Sequence, residues 1–278
     1  MRVLITGATG KVGSRLAKRL SLRGDQIRAL VRDPGRTAEL REHDVEIMLG
    51  DLLDHSSLEA ALHGVDAVVH CAWFMFQGAT SEQAHAVNDL GTRRLAALAG
   101  AAGVQRFVFT STGLVYGGNG GRCAREDDLC APSPGYSASK LAAERALLAV
   151  DGLDVRILRL PCVYGDGDPN IEDFVVPWMR GFPPSQRISI GHHIDVARAV
   201  ALVLDAPSPS HRIYNVVDDE APDLATLFAS VGAPPPDGSA AAAAKPYDVL
   251  LDGRRLREDL GFKPEYPRLQ DAIAAGAC

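Results

Sequence analysis

A tyrosine and a lysine four positions apart, in Tyr136-Ser137-Ala138-Ser139-Lys140, carry the most explicit chemistry in this chain. On a helix, i and i+4 side chains share one face a turn apart. A phenol with an ordinary pKa of about 10 is a poor base near neutrality, and an ammonium beside it favours the phenolate. Such a pair can exchange a proton with an alcohol or carbonyl oxygen. YxxxK alone arises often by chance, so its placement decides its weight. Thr112 closes the run Phe107-Val108-Phe109-Thr110-Ser111-Thr112, where its hydroxyl could hold the reacting oxygen for Tyr136.

Thr6-Gly7-Ala8-Thr9-Gly10-Lys11-Val12-Gly13 lies between the first apolar run and the first helical stretch. Glycines at such a point permit a tight turn, let backbone N–H groups approach a pyrophosphate and let helix pack close to strand, while the helix dipole favours the negative charge. The spacing is GxxGxxG, and its context predicts a dinucleotide site made by Gly7, Thr9, Gly10, Lys11, Val12 and Gly13. The second strand ends Val31-Arg32-Asp33, where an acidic residue would hold a ribose 2′-OH and an arginine would accommodate a 2′-phosphate. Arg32 and Lys11 favour NADP over NAD; in the other reading Arg32 is a solvated charge and Asp33 takes the ribose. Asp51, in Gly50-Asp51-Leu52, either reaches the adenine or caps the next turn.

These groups need a frame. Short β-branched runs at 2–6, 26–31, 45–49, 67–70, 106–110 and 155–160 alternate with helical stretches at 11–23, 81–102 and 136–150, and Ser56-Ser57-Leu58-Glu59 reads as a capping box. That rhythm predicts an α/β fold: a doubly wound parallel Rossmann sheet with a small C-terminal substrate-binding cap. The expected Rossmann domain is 1–165 plus about 190–217, with a strand at 213–217, and the expected cap is about 166–189 plus 218–278. The Pro- and Ala-rich stretch 231–245 reads as a surface connection.

With 278 residues, 46% hydrophobic and 23% charged, the chain can bury a sizeable core. A net charge of −6 offers no field to phosphate backbones or anionic lipid, so neither nucleic acid nor membrane is an expected partner. The N-terminus runs from a short apolar stretch straight into glycines, unlike a signal peptide, which makes the cytoplasm the expected compartment. Cys71, Cys123, Cys130, Cys162 and Cys278 lack CxxC spacing and read as reduced thiols. His192 and His193 have no third ligand in register, so no metal is expected.

The glycine turn, the hydroxyl after strand five and YxxxK together resemble the extended short-chain dehydrogenase/reductase family, also called the NAD(P)-dependent epimerase/dehydratase family. Further matches are Asn88-Asp89-Leu90-Gly91-Thr92, Leu114-Val115-Tyr116-Gly117, Arg159-Leu160-Pro161-Cys162-Val163-Tyr164-Gly165, His192-His193-Ile194-Asp195-Val196-Ala197, Tyr214-Asn215-Val216 and Leu260-Gly261-Phe262-Lys263-Pro264. The resemblance implies a catalytic set of Thr112, Tyr136 and Lys140, with Lys140 also on the nicotinamide ribose and Ser111 as the reserve hydroxyl. It implies cofactor contacts from Asp51, Leu52, Ala72, Pro161 and Val163, and a homodimer formed through two helices per subunit, those at 81–102 and 136–150.

The departures bear on the reaction. Gly113 and Leu114 stand where the family's sugar dehydratases carry an Asp-Glu pair, which disfavours water elimination. Cys162 replaces an asparagine of many nucleotide-sugar enzymes, and Trp73-Phe74-Met75-Phe76 either lines a pocket for an apolar substrate, through Trp73 and Phe76, or buries a loop under the cap. The leading expectation is an NADP(H)-dependent oxidoreductase acting on a carbonyl or secondary alcohol of a small metabolite. A nucleotide-sugar epimerase with tightly held NAD is the alternative, and a catalytically silent NADP-sensing protein is the third.

Overall fold

The structure, a computed structural model, describes residues 1–74, 82, 85–207, 209–239 and 249–278. Phe76, the start of the expected 81–102 helix at Ser81, and 240–245 of the Pro- and Ala-rich stretch lie outside the described residues.

Eleven strands are described: β1 Arg2–Thr6, β2 Gln26–Val31, β3 Glu46–Leu49, β4 Ala67–His70, β5 Arg106–Thr112, β6 Cys123–Ala124, β7 Asp154–Leu160, β8 Cys162–Tyr164, β9 Ile190–His192, β10 Ile213–Asn215 and β11 Leu250–Leu251. The described α-helices are α1 Lys11–Leu22, α2 Ala38–Arg41, α3 His55–Leu62, α4 Thr92–Ala101, α5 Tyr136–Leu148, α6 Val176–Met179, α7 His193–Asp205, α8 Leu224–Ser230, α9 Arg254–Leu260 and α10 Leu269–Ala274. The main sheet has seven strands in the order β10-β7-β5-β4-β1-β2-β3. Its β1–β2, β1–β4, β2–β3 and β4–β5 pairs are parallel, with Val3 opposite Ile27 on one side and Ala67 on the other. This is the expected doubly wound sheet, and the order reverses beside β1, where ligands meet the carboxyl ends of strands.

Two local expectations changed. Asp54, rather than a Ser56–Glu59 box, starts α3: its carboxylate accepts from the Ser56 amide at 3.1 Å, and Ser57 instead accepts from the Asp51 amide. A π-helical turn at Ala86–Gly91 leads into α4, which interrupts the regular helix expected there.

The chain forms two compact units. The first, Met1–Ser111, Pro134–Leu158 and Val203–Pro207, is cored by Val3, Leu4, Ile5, Val68, Val69, Phe107 and Phe109. The second, Thr112–Ser133, Arg159–Leu202 and Ser208–Cys278, gathers Tyr164, Val175, Met179, Ile190, Leu224 and Phe228. The segments expected as a cap lie wholly in the second unit, which also takes 112–133, 159–165, 190–202 and 208–217. No helix among the described residues is long and apolar enough to cross a membrane.

Candidate active site

The carboxyl ends of β1 to β4 surround a cleft of about 220 Å³ in the first unit. Gly7, Thr9, Gly10, Arg32, Asp51, Leu52 and Ala72, all expected to bind cofactor, line it. Gly7 has φ +71°, and a Cβ there would fall 2.5 Å from the Ala72 amide nitrogen, so the turn and the loop after β4 approach too closely for a side chain. A Cβ at Gly13 would lie 2.2 Å from the Gly7 carbonyl oxygen, which explains the third glycine as helix-to-turn packing rather than lining. Helix α1 starts at Gly10 without a side-chain cap or an acidic residue in its first turn. Its first amides thus suit an anion, and turn and helix together fit a dinucleotide pyrophosphate. Lys11 and Val12 open that helix without lining the cleft.

At the β2 end, Asp33 spends an oxygen on its own turn, accepting from the Gly35 amide at 2.8 Å. That turn brings in Arg36, whose guanidinium donates to the Thr9 carbonyl at 3.2 Å and lines the cleft with Arg32. Sequence reasoning missed Arg36, although Asp33-Pro34-Gly35 is a turn signal that returns the following residue toward the strand end. Asp51 does both things considered for it: Oδ1 accepts from the Leu53 amide at 2.8 Å, and the residue lines the cleft.

Tyr136 and Lys140, the expected acid–base pair, open α5 and share the first unit. Lys140 is 3% exposed; its Nζ donates to the Thr110 carbonyl at 2.8 Å and lies 3.9 Å from the Trp73 ring centroid and 4.6 Å from that of Phe109. Burial lowers its pKa to about 7, while the nearby Cys71 thiol and the Glu144 carboxyl pull the other way. Burial likewise pushes the Cys71 thiol up to about 11. Tyr136 meets Trp73 edge-on, with centroids 6.0 Å apart. Glu144, one further turn along the same helix face, accepts a short hydrogen bond from Ser111, so the reserve hydroxyl is engaged there. The spacing 136, 140, 144 was the signal that could have found Glu144.

A second feature unforeseen in the sequence anchors the loop carrying Trp73. His70 is fully buried, and burial depresses its pKa to about 3, so the ring is neutral. The Thr92 hydroxyl donates to the Asn88 carbonyl, which makes His70 Nε2 the donor to Thr92 at 2.9 Å and leaves Nδ1 to accept from Thr6 at 2.6 Å. Thr6 in turn accepts from the Ala72 amide at 3.3 Å. The Asn88 side chain grips both backbone groups of Phe74, at 2.7 and 2.9 Å.

The remaining expected residues belong to the second unit. Thr112 Oγ1 accepts from the Leu114 amide at 3.2 Å. Cys162 and Val163 lie on β8, paired with Ile190 and Gly191 of β9, and Pro161 packs against Gly191. A Cβ at Gly113 would meet the Leu251 side chain at 2.8 Å, so a larger residue there would run into hydrocarbon. His192 donates to the Ala277 carbonyl at 2.8 Å, and His193 pairs with Asp168 at 2.8 Å.

The chain is similar to known proteins. "Sterol demethylase protein B" of Methylococcus capsulatus is 36% identical over 197 residues, 66% of this chain and 60% of that protein. The "3 beta-hydroxysteroid dehydrogenase/Delta 5-->4-isomerase" of Mycobacterium tuberculosis is 34% identical over 183 residues, 60% of this chain and 48% of that protein. The match therefore spans between about half and three fifths of those relatives. The solved dTDP-glucose 4,6-dehydratase of Streptomyces venezuelae, with NAD and TYD bound, superposes with a TM-score of 0.81 at 29% identity, covering 99% of this chain and 95% of that one. With the glycine cleft, the parallel sheet and a family match over residues 3–216, the chain belongs to the NAD dependent epimerase/dehydratase family.

Proposed function

We propose that the protein is an oxidoreductase that moves hydride between NADP(H) and a carbonyl or secondary alcohol of a small metabolite, with Tyr136 as the proton donor or acceptor. The observation that carries this reading is Tyr136 and the buried Lys140 meeting at Trp73, a residue of the cleft wall. When bound, the dinucleotide supplies or accepts the hydride. Gly7, Thr9, Gly10 and the start of α1 with Lys11, Val12 and Gly13 would hold its pyrophosphate, Asp51 and Leu52 the adenine, and Ala72 the adjoining wall. Arg32 and Arg36 beside the self-capped Asp33 support NADP, since Asp33 spends an oxygen on Gly35. Pro161 and Val163 are assigned to the nicotinamide and Thr112 to the reacting oxygen; Thr112 accepts from Leu114, so its own O–H is the group that would donate. In this reading 1–165 with about 190–217 serves the cofactor and 166–189 with 218–278 serves the substrate, to which Cys162, Trp73 and Phe76 are also assigned.

The Leu251 side chain against Gly113 argues against water elimination. The names of the two curated relatives support a lipophilic substrate. A nucleotide-sugar epimerase is the second reading, favoured by the likeness over 98% of this chain to a UDP-glucose 4-epimerase solved with NAD. A cytoplasmic homodimer joined through α4 and α5 completes the proposal.

The test has two parts. Nucleotide released from freshly purified, denatured protein is identified by mass: stoichiometric NAD would favour the epimerase, and exchangeable NADP(H) the oxidoreductase. Tyr136→Phe should then lose roughly 100-fold or more in turnover of carbonyl substrates while keeping its NADPH affinity. Unchanged turnover would remove Tyr136 from the proton transfer, and bound NADP(H) with no turnover in the wild type would leave the silent NADP sensor.

A further inference from the structure

We infer that Trp73 is a positioning residue for the acid–base pair: its indole, laid over the Lys140 nitrogen and edge-on to the Tyr136 ring, keeps water from that nitrogen and holds the pair against the cleft. The inference rests on the proposed Tyr136–Lys140 chemistry for its catalytic half only.

The geometry around Nζ is the reason. An ammonium has three N–H donors. Here one goes to the Thr110 carbonyl, while two ring faces cover the nitrogen, Phe109 from β5 and Trp73 from the loop after β4. Phe109 is fixed inside the sheet core, with its ring stacked on His70 at 5.5 Å. Trp73 is the half of this box that a loop carries, and the protein pins that loop from both sides. The Ala72 amide is tied to Thr6, and the Phe74 backbone is gripped twice by Asn88. Those anchors are joined through the neutral His70 and Thr92. A loop held this firmly delivers its indole to one place.

Aromatic faces attract a cation, but they solvate it far less than water does, so enclosing the nitrogen favours the neutral amine. The titratable groups facing Lys140 are the Cys71 thiol on the Trp73 loop, neutral His70 at the end of β4, and Tyr136 and Glu144 on its own helix. Removing the indole takes away none of these titratable groups. It admits water to the nitrogen, which should then keep its proton to higher pH.

The experiment compares Trp73→Phe and Trp73→Ala in the full chain, with two readouts. The first needs no turnover: the rise of the thermal midpoint between pH 7 and pH 9, with Lys140→Met as the reference lacking the ionisable group. Trp73→Phe should keep the wild-type rise, and Trp73→Ala should lose most of it. The second is the pH profile of kcat/KM, whose Lys140 limb should move up by about one pH unit or more in Trp73→Ala, a tenfold gain in proton affinity, and stay in place in Trp73→Phe. If Trp73→Ala does not fold, Trp73→Gln, which keeps length but brings in a polar group, carries the same expectation. A wild-type rise retained in the Ala or Gln variant would overturn the inference. So would equal changes in the Phe and Ala variants, which would mean that an aromatic ring at this position is not what shields the nitrogen. Absence of turnover with every carbonyl compound would sink the proposed function and leave the thermal comparison standing.

Discussion

Lys140 makes the stability of this protein depend on pH in a direction opposite to that of a surface lysine with an attractive partner. Its folded pKa of about 7 lies below the reference 10.5, because burial disfavours the charged form. Below pH 7 both folded and unfolded chains hold the proton, and the folded state carries the full cost of a buried charge. Between about 7 and 10.5 the unfolded chain binds the proton and the folded chain does not, so stability rises with pH across that window. From pH 7 to pH 9 the folded nitrogen passes from about half protonated to about one part in a hundred, while the unfolded one stays charged. Integrating that difference gives about 2 kcal/mol, roughly 4 °C in Tm for a chain of this size. Lys140→Met keeps length and apolar bulk without an ionisable group, so its loss of the Thr110 hydrogen bond adds a constant and its Tm should lack this rise. The assay is a thermal melt of both proteins without added nucleotide at half-unit steps from pH 7 to pH 9. Parallel curves would refute the reasoning, because they would mean that Lys140 stays charged throughout and that the aromatic box is open to water.

Two further perturbations address the cleft. Arg32→Ala combined with Arg36→Ala should weaken NADPH binding by roughly 10- to 100-fold, the loss of one or two charge-assisted hydrogen bonds, with NADH affinity nearly unchanged; calorimetric titration with both dinucleotides decides, and equal losses would remove the 2′-phosphate role. Gly7→Ala places a Cβ 2.5 Å from the Ala72 nitrogen at φ +71°, so it should cost at least about 2 kcal/mol and weaken either dinucleotide. An unaltered melt with unaltered binding would show that the turn does not need its glycine.

Much of this was legible locally. Strands 2–6, 26–31 and 67–70 fall where the β-branched runs put them, because alternation and turn residues are encoded within a few positions. The glycine turn was legible for the same reason: strand, glycines and helix follow one another directly in the chain. Helix α5 begins at Tyr136, and the pitch of a helix alone puts Lys140 and Glu144 on the face of Tyr136. Capping was less legible, since Asp54 and Ser56 both suit the role and only the path of the chain chose Asp54.

Tertiary structure decided what surrounds those groups. Thr6 and His70 are 64 positions apart and share a proton only because β1 and β4 are neighbours in the sheet. Asn88 reaches Phe74, Arg36 reaches Thr9 and Leu251 fills the space beside Gly113 for the same kind of reason: each contact depends on which elements pack together. Trp73 shows the difference most directly. Its sequence context says only that a large apolar group follows β4, whereas the fold lays it over Lys140 and against Tyr136. Sequence thus determined the elements and the types of chemistry they carry, through local periodicity and turn propensity. The protonation of Lys140 was left to burial and packing, which are properties of the assembled core rather than of any segment.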